Sequence, residues 1–389
     1  MPKKRSLSSP IVEDLKNKMV FVGGPRQVGK TTLARILVGA QFEETAYFNW
    51  DNKAERRQIM AAQWPGAAEL IILDEIHKFS GWKRFIKGEY DVHKDKYRFL
   101  VTGSARLDIY RKGGDSLQGR YHYYRMHPFT LAELAKEKSP IEPFKELPID
   151  TVHHQEFATL ERFGGFPEPL FSQNDRTLRR WHSERNERLF REDIRDTEMI
   201  RELGKMQVLS DMLPSKVGAL LSINNMREDL EVSHRAVSHW LNILESFYYH
   251  FRVYPFSRTS FRALKKEPKL YLWDWSEVTD EAARFENLVG SHLLKLVHWL
   301  HDHEGFKTGL YFLRDTSKRE VDFLVTVDEK PWFAVEVKLN DDSLAPNLRY
   351  FREKLNIPFA YQVLKKPGVD RIADGVRIIS ADKLLPALV

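Results

Sequence analysis

Short apolar runs and longer amphipathic stretches alternate through the first third of the chain. KMVFVGG (residues 18–24) reads as a strand, and TTLARILVGA after it has the three-to-four spacing of a helix. AYFNWD, ELIILDE, YRFLVTGS and YHYYRMHP follow as further strands. Continuous short apolar runs of this kind are the pattern of parallel strands buried on both faces. KSPIEPFKELPID, with three prolines, predicts a linker over 138–150. Residues 151–205 are mostly helical and charged around the turn GGFP.

The period changes beyond residue 206. NNMREDL predicts a short helix, and EVSHRAVSHWLNILESF a second, with Val237, Trp240, Leu241 and Leu244 on one face and Ser233 as its N-cap. The runs YYHFRVYPF and PKLYLWDW then form a hairpin around a basic connection. Helix, turn, helix and basic hairpin describe a winged helix over 206–275. Its second helix carries His234, Arg235 and His239 off the apolar face, and Arg258, Arg262, Lys265, Lys266 and Lys269 crowd the hairpin, where phosphates are the expected contact. The last section, 276–389, opens with the helix ARFENLVGSHLLKLVHWL. Strands GLYFLRD, EVDFLVTV and WFAVEVKL, a helix near NLRYFREKLN, and strands FAYQVLKK and VRIIS follow. The expected class is therefore α/β, in four parts: 1–140, 151–205, 206–275 and 276–389.

Composition narrows this little. The chain has 389 residues, no cysteine and a formal charge of +6, which exclude disulfides and thiolate chemistry and lean toward a polyanionic partner. No apolar run approaches the roughly 18 residues of a membrane span, and a cytoplasmic location is expected. The basic N-terminus MPKKRSLSSP lacks an apolar segment after its charges and is expected to be a frayed tail, not a secretory signal.

The chemistry concentrates at two places. GPRQVGKT fits the phosphate-loop pattern G-x-x-x-x-G-K-[ST] between a strand and a helix. Gly24, Pro25, Arg26, Gln27, Val28, Gly29, Lys30, Thr31 and Thr32 are the expected ATP contacts. Gly24 and Gly29 let the backbone close, Lys30 neutralises phosphate and Thr31 holds Mg²⁺. LIILDE ends in Asp74, expected to hold Mg²⁺ through water, and Glu75, expected to activate the attacking water. Ser104 closes the next strand within reach of the γ-phosphate. Of Arg106, Arg111 and Arg120, the last directly precedes a strand and is the expected arginine supplied to a neighbouring subunit.

These motifs, with FLVTGSARL, SLQGRYHYYRMHPFTLAEL, GGFPE, KLYLWD, RFENLVGSHLL and REVDFLV…AVEVKLN, resemble a prokaryotic family of AAA-type ATPases that carry a winged helix and a restriction-endonuclease-like C-terminal domain. One departure is visible: Trp275 and Ser276 follow Asp274 where family members usually have a glycine. The resemblance implies a ring-forming homo-oligomer, with a hexamer the expected size. It also places Asp322, Glu336 and Lys338 in a D-x(n)-E-x-K nuclease signature, with Glu286 as an added acidic residue. The residues agree on physical grounds. Charged groups on apolar strands are costly unless paired or bound to metal. Asp322 and Glu336 on adjacent strands suit one Mg²⁺, with Lys338 beside its water and Glu320 on the face of Asp322. The expected function is an ATP-driven DNA-processing enzyme with a metal-dependent nuclease domain. The alternative is a nucleotide-switched regulatory or remodelling ATPase whose last domain is a scaffold.

Overall fold

The computed structural model describes residues 3–103, 107, 117–135, 140–194, 202–257 and 266–389. They fall into two compact units, Met1–His127 and Pro128–Val389.

The first unit is built on five parallel strands: β1 (Met19–Gly23), β2 (Thr45–Asn49), β3 (Leu70–Asp74), β4 (Arg98–Thr102) and β5 (Tyr121–Arg125). Their order is β2-β3-β4-β1-β5. Every residue of β1 and β3 is buried, as uninterrupted apolar runs require when both faces are covered. Phe21, Leu73, Phe99 and Val101 pack with Trp82 and Ile86 of the helix Trp82–His93 (α2 below), so the C-terminal ends of β1, β3 and β4 are held on a rigid base. From Arg5 onward the N-terminal segment is not the frayed tail expected. Arg5 is buried and donates to the carbonyls of Val28 and His127, and helix α1 (Ser8–Asp14) buries Ile11 and accepts a bond on Asp14 from the Tyr124 hydroxyl at 2.6 Å. A guanidinium with several donors can tie two loops at once, which a basic composition alone does not reveal.

The second unit holds an eight-stranded sheet in the order β12-β13-β11-β10-β9-β8-β6-β7. Its strands are β6 (His250–Pro255), β7 (Lys269–Leu272), β8 (Thr308–Arg314), β9 (Glu320–Val327), β10 (Lys330–Lys338), β11 (Phe359–Leu364), β12 (Asp370–Ala373) and β13 (Val376–Ser380). Helices α3 (His154–Phe163), α4 (Asp175–Arg188), α5 (Ile223–Asp229) and α6 (His234–Ser246) precede it; α7 (Glu281–Asp302) and α8 (Pro346–Leu355) cover its two faces. Ser233 caps α6 by accepting from the Ala236 amide, and Val237, Trp240, Leu241 and Leu244 are buried as the period predicts. The β6–β7 hairpin does not stand apart. β6 pairs in parallel with β8 at Tyr254–Tyr311 and Pro255–Phe312, so the hairpin continues the C-terminal sheet. Residues 258–265, with Arg258, Arg262 and Lys265, lie outside the described residues.

The proline-rich segment before α3 has no helix or strand from 140 to 150, yet it is pinned. The Trp332 indole donates to Lys145 O at 3.0 Å, the Leu147 amide to the Tyr361 hydroxyl at 3.3 Å, and Arg377 pairs with Glu146 at 3.0 Å. The GGFP turn is equally fixed. Gly164 has φ +74, and a side chain on Gly165 would meet Phe129 O at 2.5 Å. That backbone approach is why two glycines stand there.

Strand β7 lies at the edge of the sheet, and the outward amide and carbonyl of Leu272 need partners. Asn287 of α7, fully buried, supplies both: its Oδ1 accepts from Leu272 N and its Nδ2 donates to Leu272 O, each at 2.8 Å. Replacing it with Leu orphans two buried backbone groups. Asn287→Leu is expected to destabilise the fold by about 2–4 kcal/mol, measured by denaturant unfolding; a loss within error of zero would show that β7 finds other partners.

Candidate functional site

The phosphate loop leaves the C-terminal edge of β1, the edge at which open parallel sheets bind ligands. Three of its residues have positive φ: Gly24 at +153, Gln27 at +62 and Gly29 at +101. A side chain on Gly24 would meet Met126 O at 2.5 Å, so the loop turns tightly against the residue that follows β5. Lys30 is buried, and its ammonium donates to Gly24 O at 3.0 Å and Pro25 O at 2.8 Å, across the mouth of the loop.

Asp74 ends β3 beside this loop, 3% exposed. One oxygen accepts from the Thr31 hydroxyl at 2.8 Å and the Tyr47 hydroxyl at 2.9 Å; the other accepts from Thr102. Register explains the meeting, since Asn49, Asp74 and Thr102 stand level on adjacent parallel strands. Tyr47 was not singled out from the sequence. It sits two residues before Asn49 on an edge strand, and only the order β2-β3 brings its hydroxyl to Asp74. Burial and then the Asp74 charge raise its pKa well above the ordinary range, so it stays a donor. The Arg35 guanidinium lies 4.4 Å over its ring. The next residue, Glu75, takes a left-handed turn (φ +58) that swings it off the strand, with Lys78 and His77 at 3.6 and 3.7 Å. Burial raises the Glu75 pKa, against the opposing pull of Lys30 and Lys78. Thr31, Asp74, Glu75 and Thr102 are thus gathered at one edge. Ser104, Arg106 and Arg111 lie outside the described residues. Arg120 is held in its own chain by a forked pair with Asp91 of α2 (Trp82–His93), at 2.7 and 3.2 Å.

The C-terminal acidic residues converge in the second unit, with a bulge as the cause. Tyr311 to Leu313 on β8 faces Leu324 to Val321 on β9, so β9 carries one residue more than its partner there. Val321 and Leu324 both pack on the α8 side with Leu348, while the ring of Phe323 lies against Gly290 of α7. Strict alternation from Leu324 would turn Asp322 the same way as Leu324; the extra residue re-aims it. Asp322 then accepts from the Val337 amide at 2.9 Å and from the Lys269 ammonium at 3.2 Å. The ladder between β9 and β10 ends at Phe323–Val335, so the next residues are Asp322 and Glu336.

Glu336 pairs with Lys338 through one oxygen at 2.7 Å; its other oxygen is buried without a hydrogen-bond partner. Burial, then the Asp322 charge, pushes its pKa up to about 7, and the same two causes push Glu286 up to about 7. Glu286 accepts from the Tyr271 hydroxyl at 2.7 Å. Lys269 joins this group and is not part of a basic rim. It is 3% exposed and contacts Glu320 at 2.8 Å, Asp322 at 3.2 Å and Glu286 at 3.3 Å, while Arg314 holds the far oxygen of Glu320 at 2.6 Å. Burial works against the Lys269 charge, but the three carboxylates outweigh it and raise its pKa. The initial Lys of KLYLWD carried no signal beyond its charge.

A third buried polar group joins the GGFPE and KLYLWD segments. Asp274 accepts from Ser276, His182 of α4 lies 3.4 Å from Asp274, and Arg185 lies 2.9 Å from Glu277, which also accepts from Tyr249 at 3.2 Å. His182, Asp274 and Glu277 have ligand-type spacing, but the Arg185 guanidinium already fills the place of their cation. Here Ser276 does what no glycine can, donating both backbone and hydroxyl to Asp274.

Comparison with known proteins agrees with the first unit's geometry. Residues 16–135 match a family model described as an AAA domain. Residues 154–278 and 282–384 match two models described as domains of unknown function, DUF8612 and DUF4143. An uncharacterized protein of Mycobacterium tuberculosis is 21% identical over 94% of this chain and 81% of its own length. One of Methanocaldococcus jannaschii is 21% identical over 87% and 79%. Among solved structures, RuvB of Thermotoga maritima aligns with a TM-score of 0.31 at 16% identity, over 63% of this chain and 87% of its own. The Caenorhabditis elegans protein PCH-2 aligns at 0.26 and 12%, over 47% and 66%. Scores of this size do not define a shared overall architecture. No helix among the described residues is long and apolar enough to cross a membrane. The phosphate loop, its Asp74 cradle and the family match together make residues 16–135 an AAA-type ATPase domain.

Proposed function

We propose that the chain is an ATP-hydrolysing DNA-processing enzyme whose C-terminal carboxylates form a metal-dependent phosphodiesterase site. The observation that carries the C-terminal part is the buried, unpartnered oxygen of Glu336 beside Asp322. A buried acceptor with no donor is costly, and two adjacent carboxylates, with burial raising the pKa of Glu336, suit a divalent cation. Asp322 and Glu336 are the residues that would hold Mg²⁺. The ion, when bound, supplies Lewis acidity and an acidified water. Lys338, half-exposed beside Glu336, is placed to orient that water or to meet charge on the phosphate. In the ATPase domain Lys30 would leave its two carbonyls for the phosphates, Thr31 and Asp74 would hold the nucleotide's Mg²⁺, and Glu75 would take the proton of the attacking water.

The winged-helix reading of 206–275 supplies the DNA contact in this proposal. His234, Arg235 and His239 are exposed on α6, and Lys266 is exposed at the end of the hairpin connection. In this proposal the chain assembles into a cytoplasmic hexameric ring, in which Arg120 would exchange Asp91 for a neighbour's phosphate. One observation favours the second reading, a remodelling ATPase with a scaffold domain: Lys269 already neutralises part of the cluster.

Lys30→Ala is expected to abolish ATP binding, whereas Glu75→Gln binds ATP and loses about 10²–10⁴-fold in turnover. Equal turnover by Glu75→Gln and wild type would remove Glu75 from the mechanism.

Asp322→Asn is expected to abolish Mg²⁺-dependent cleavage of a panel of labelled DNA structures and to leave ATP hydrolysis intact. A wild type that cuts none of them, with and without ATP, would leave the scaffold reading.

The raised pKa of Glu336 has a signed consequence. The folded chain keeps a proton there that the unfolded chain releases, so this group's contribution to stability falls as pH rises from the ordinary carboxylate range through about 7. Relative to wild type, the melting temperature of Glu336→Gln should improve between about pH 5 and about pH 8 in the absence of metal. A constant difference would show that the carboxylate is ionised across the range.

A further inference from the structure

We propose that Lys269 is a built-in competitor for the divalent cation at Asp322, so that metal enters the C-terminal cluster only as this ammonium withdraws. The inference rests on the reading of Asp322 and Glu336 as a cation site. It begins from charge. Glu286, Glu320, Asp322 and Glu336 are met by three cations, Lys269, Arg314 and Lys338. Lys338 and Arg314 each serve one carboxylate at the margin. Lys269 serves three, from within, with its side chain 4% exposed. Its three oxygens come from two elements, α7 and two positions of β9, brought together around one cation.

The remaining capacity of Asp322 is small. Its Oδ2 accepts from Val337 N and its Oδ1 from Lys269, while the free acceptor of the pair is on Glu336. A divalent ion shared by both residues would bind the same Asp322 carboxylate that the ammonium now holds through Oδ1. Two cations that close to one carboxylate repel, so either the metal or Lys269 holds it. Lys269 begins β7, directly after the basic connection of the hairpin, and Val253 of β6 is its partner across the ladder. Anything that shifts the start of β7 moves this ammonium, and the hairpin is the part of the chain given above to nucleic acid. The device thus ties metal occupancy to the position of one edge strand.

The test is titration of Mn²⁺ into the metal-free 389-residue chain by calorimetry, without nucleotide. The variants are Lys269→Met, Lys269→Met with Asp322→Asn, and wild type. Lys269→Met should bind Mn²⁺ at least about tenfold more tightly than wild type, and the added Asp322→Asn should cancel the gain. Equal affinity in Lys269→Met and wild type, or no binding by either, overturns the proposal. Removing Lys269 alone leaves buried like charges and risks unfolding, so Lys269→Met with Glu320→Gln, which removes the pair together, is titrated in parallel under the same criteria. The outcome is separable from the nuclease reading. Tight binding by Lys269→Met with no DNA cleavage by wild type would support the competitor and sink the nuclease; cleavage by wild type with equal Mn²⁺ affinities would do the reverse.

Discussion

A charge taken out of water must be met by opposite charge or by hydrogen bonds, and both chemical centres of this chain are arranged around that constraint. Asp74 is answered by three hydroxyls from three places, Thr31, Tyr47 and Thr102. Hydroxyls can rotate away or be replaced by a metal's water at little cost, so this carboxylate stays available. In the C-terminal cluster the answer is an ammonium, Lys269, which is charged, fixed and shared. The two solutions have different consequences. The first leaves room for nucleotide chemistry without rebuilding the sheet, and the second sets the neutralising charge on a strand.

The sheets turn this constraint into geometry. In the first unit, parallel register sets Asn49, Asp74 and Thr102 level, so the edge that receives the phosphate loop also receives the acid and its hydroxyls. In the second, an antiparallel ladder with one extra residue turns Asp322 away from the α8 face and toward Lys269. The same mechanical logic recurs at the edge strand β7, where the Asn287 amide substitutes for a missing strand. Strand β7 carries Lys269 at one end and Leu272 at the other, so its fixation by α7 also fixes the cluster's cation.

Buried polar joints hold the second unit together away from both centres. His292 accepts from Leu131 N while its other nitrogen donates to Leu288 O, which sets one tautomer, and burial pulls its pKa down to about 4. Lys295 pairs with Glu133 at 2.9 Å and donates to Thr130 at 3.0 Å. Together with Arg185, Asp274 and Glu277, these groups explain why a region rich in charge still packs as one body.

Local pattern determined a good deal here. The five parallel strands, the phosphate loop and Asp74 at a strand end were legible because each is written in contiguous residues. So were the Ser233 cap and the apolar face of α6, since periodicity and capping act within a few residues. The acidic residues of EVDF and EVK could be singled out because charge on apolar strands is conspicuous. What the sequence could not carry were partners distant along the chain. Tyr47 reached Asp74 only through strand order, and Lys269 looked like one more lysine of a basic hairpin until β7 joined the sheet. Arg5 looked like a loose tail until two carbonyls took it up. Side chains of these types are used equally well at the surface, so composition does not mark them. Tertiary structure decided their roles because burial, which makes an unmet charge costly, is a property of the packed chain and not of any stretch of it.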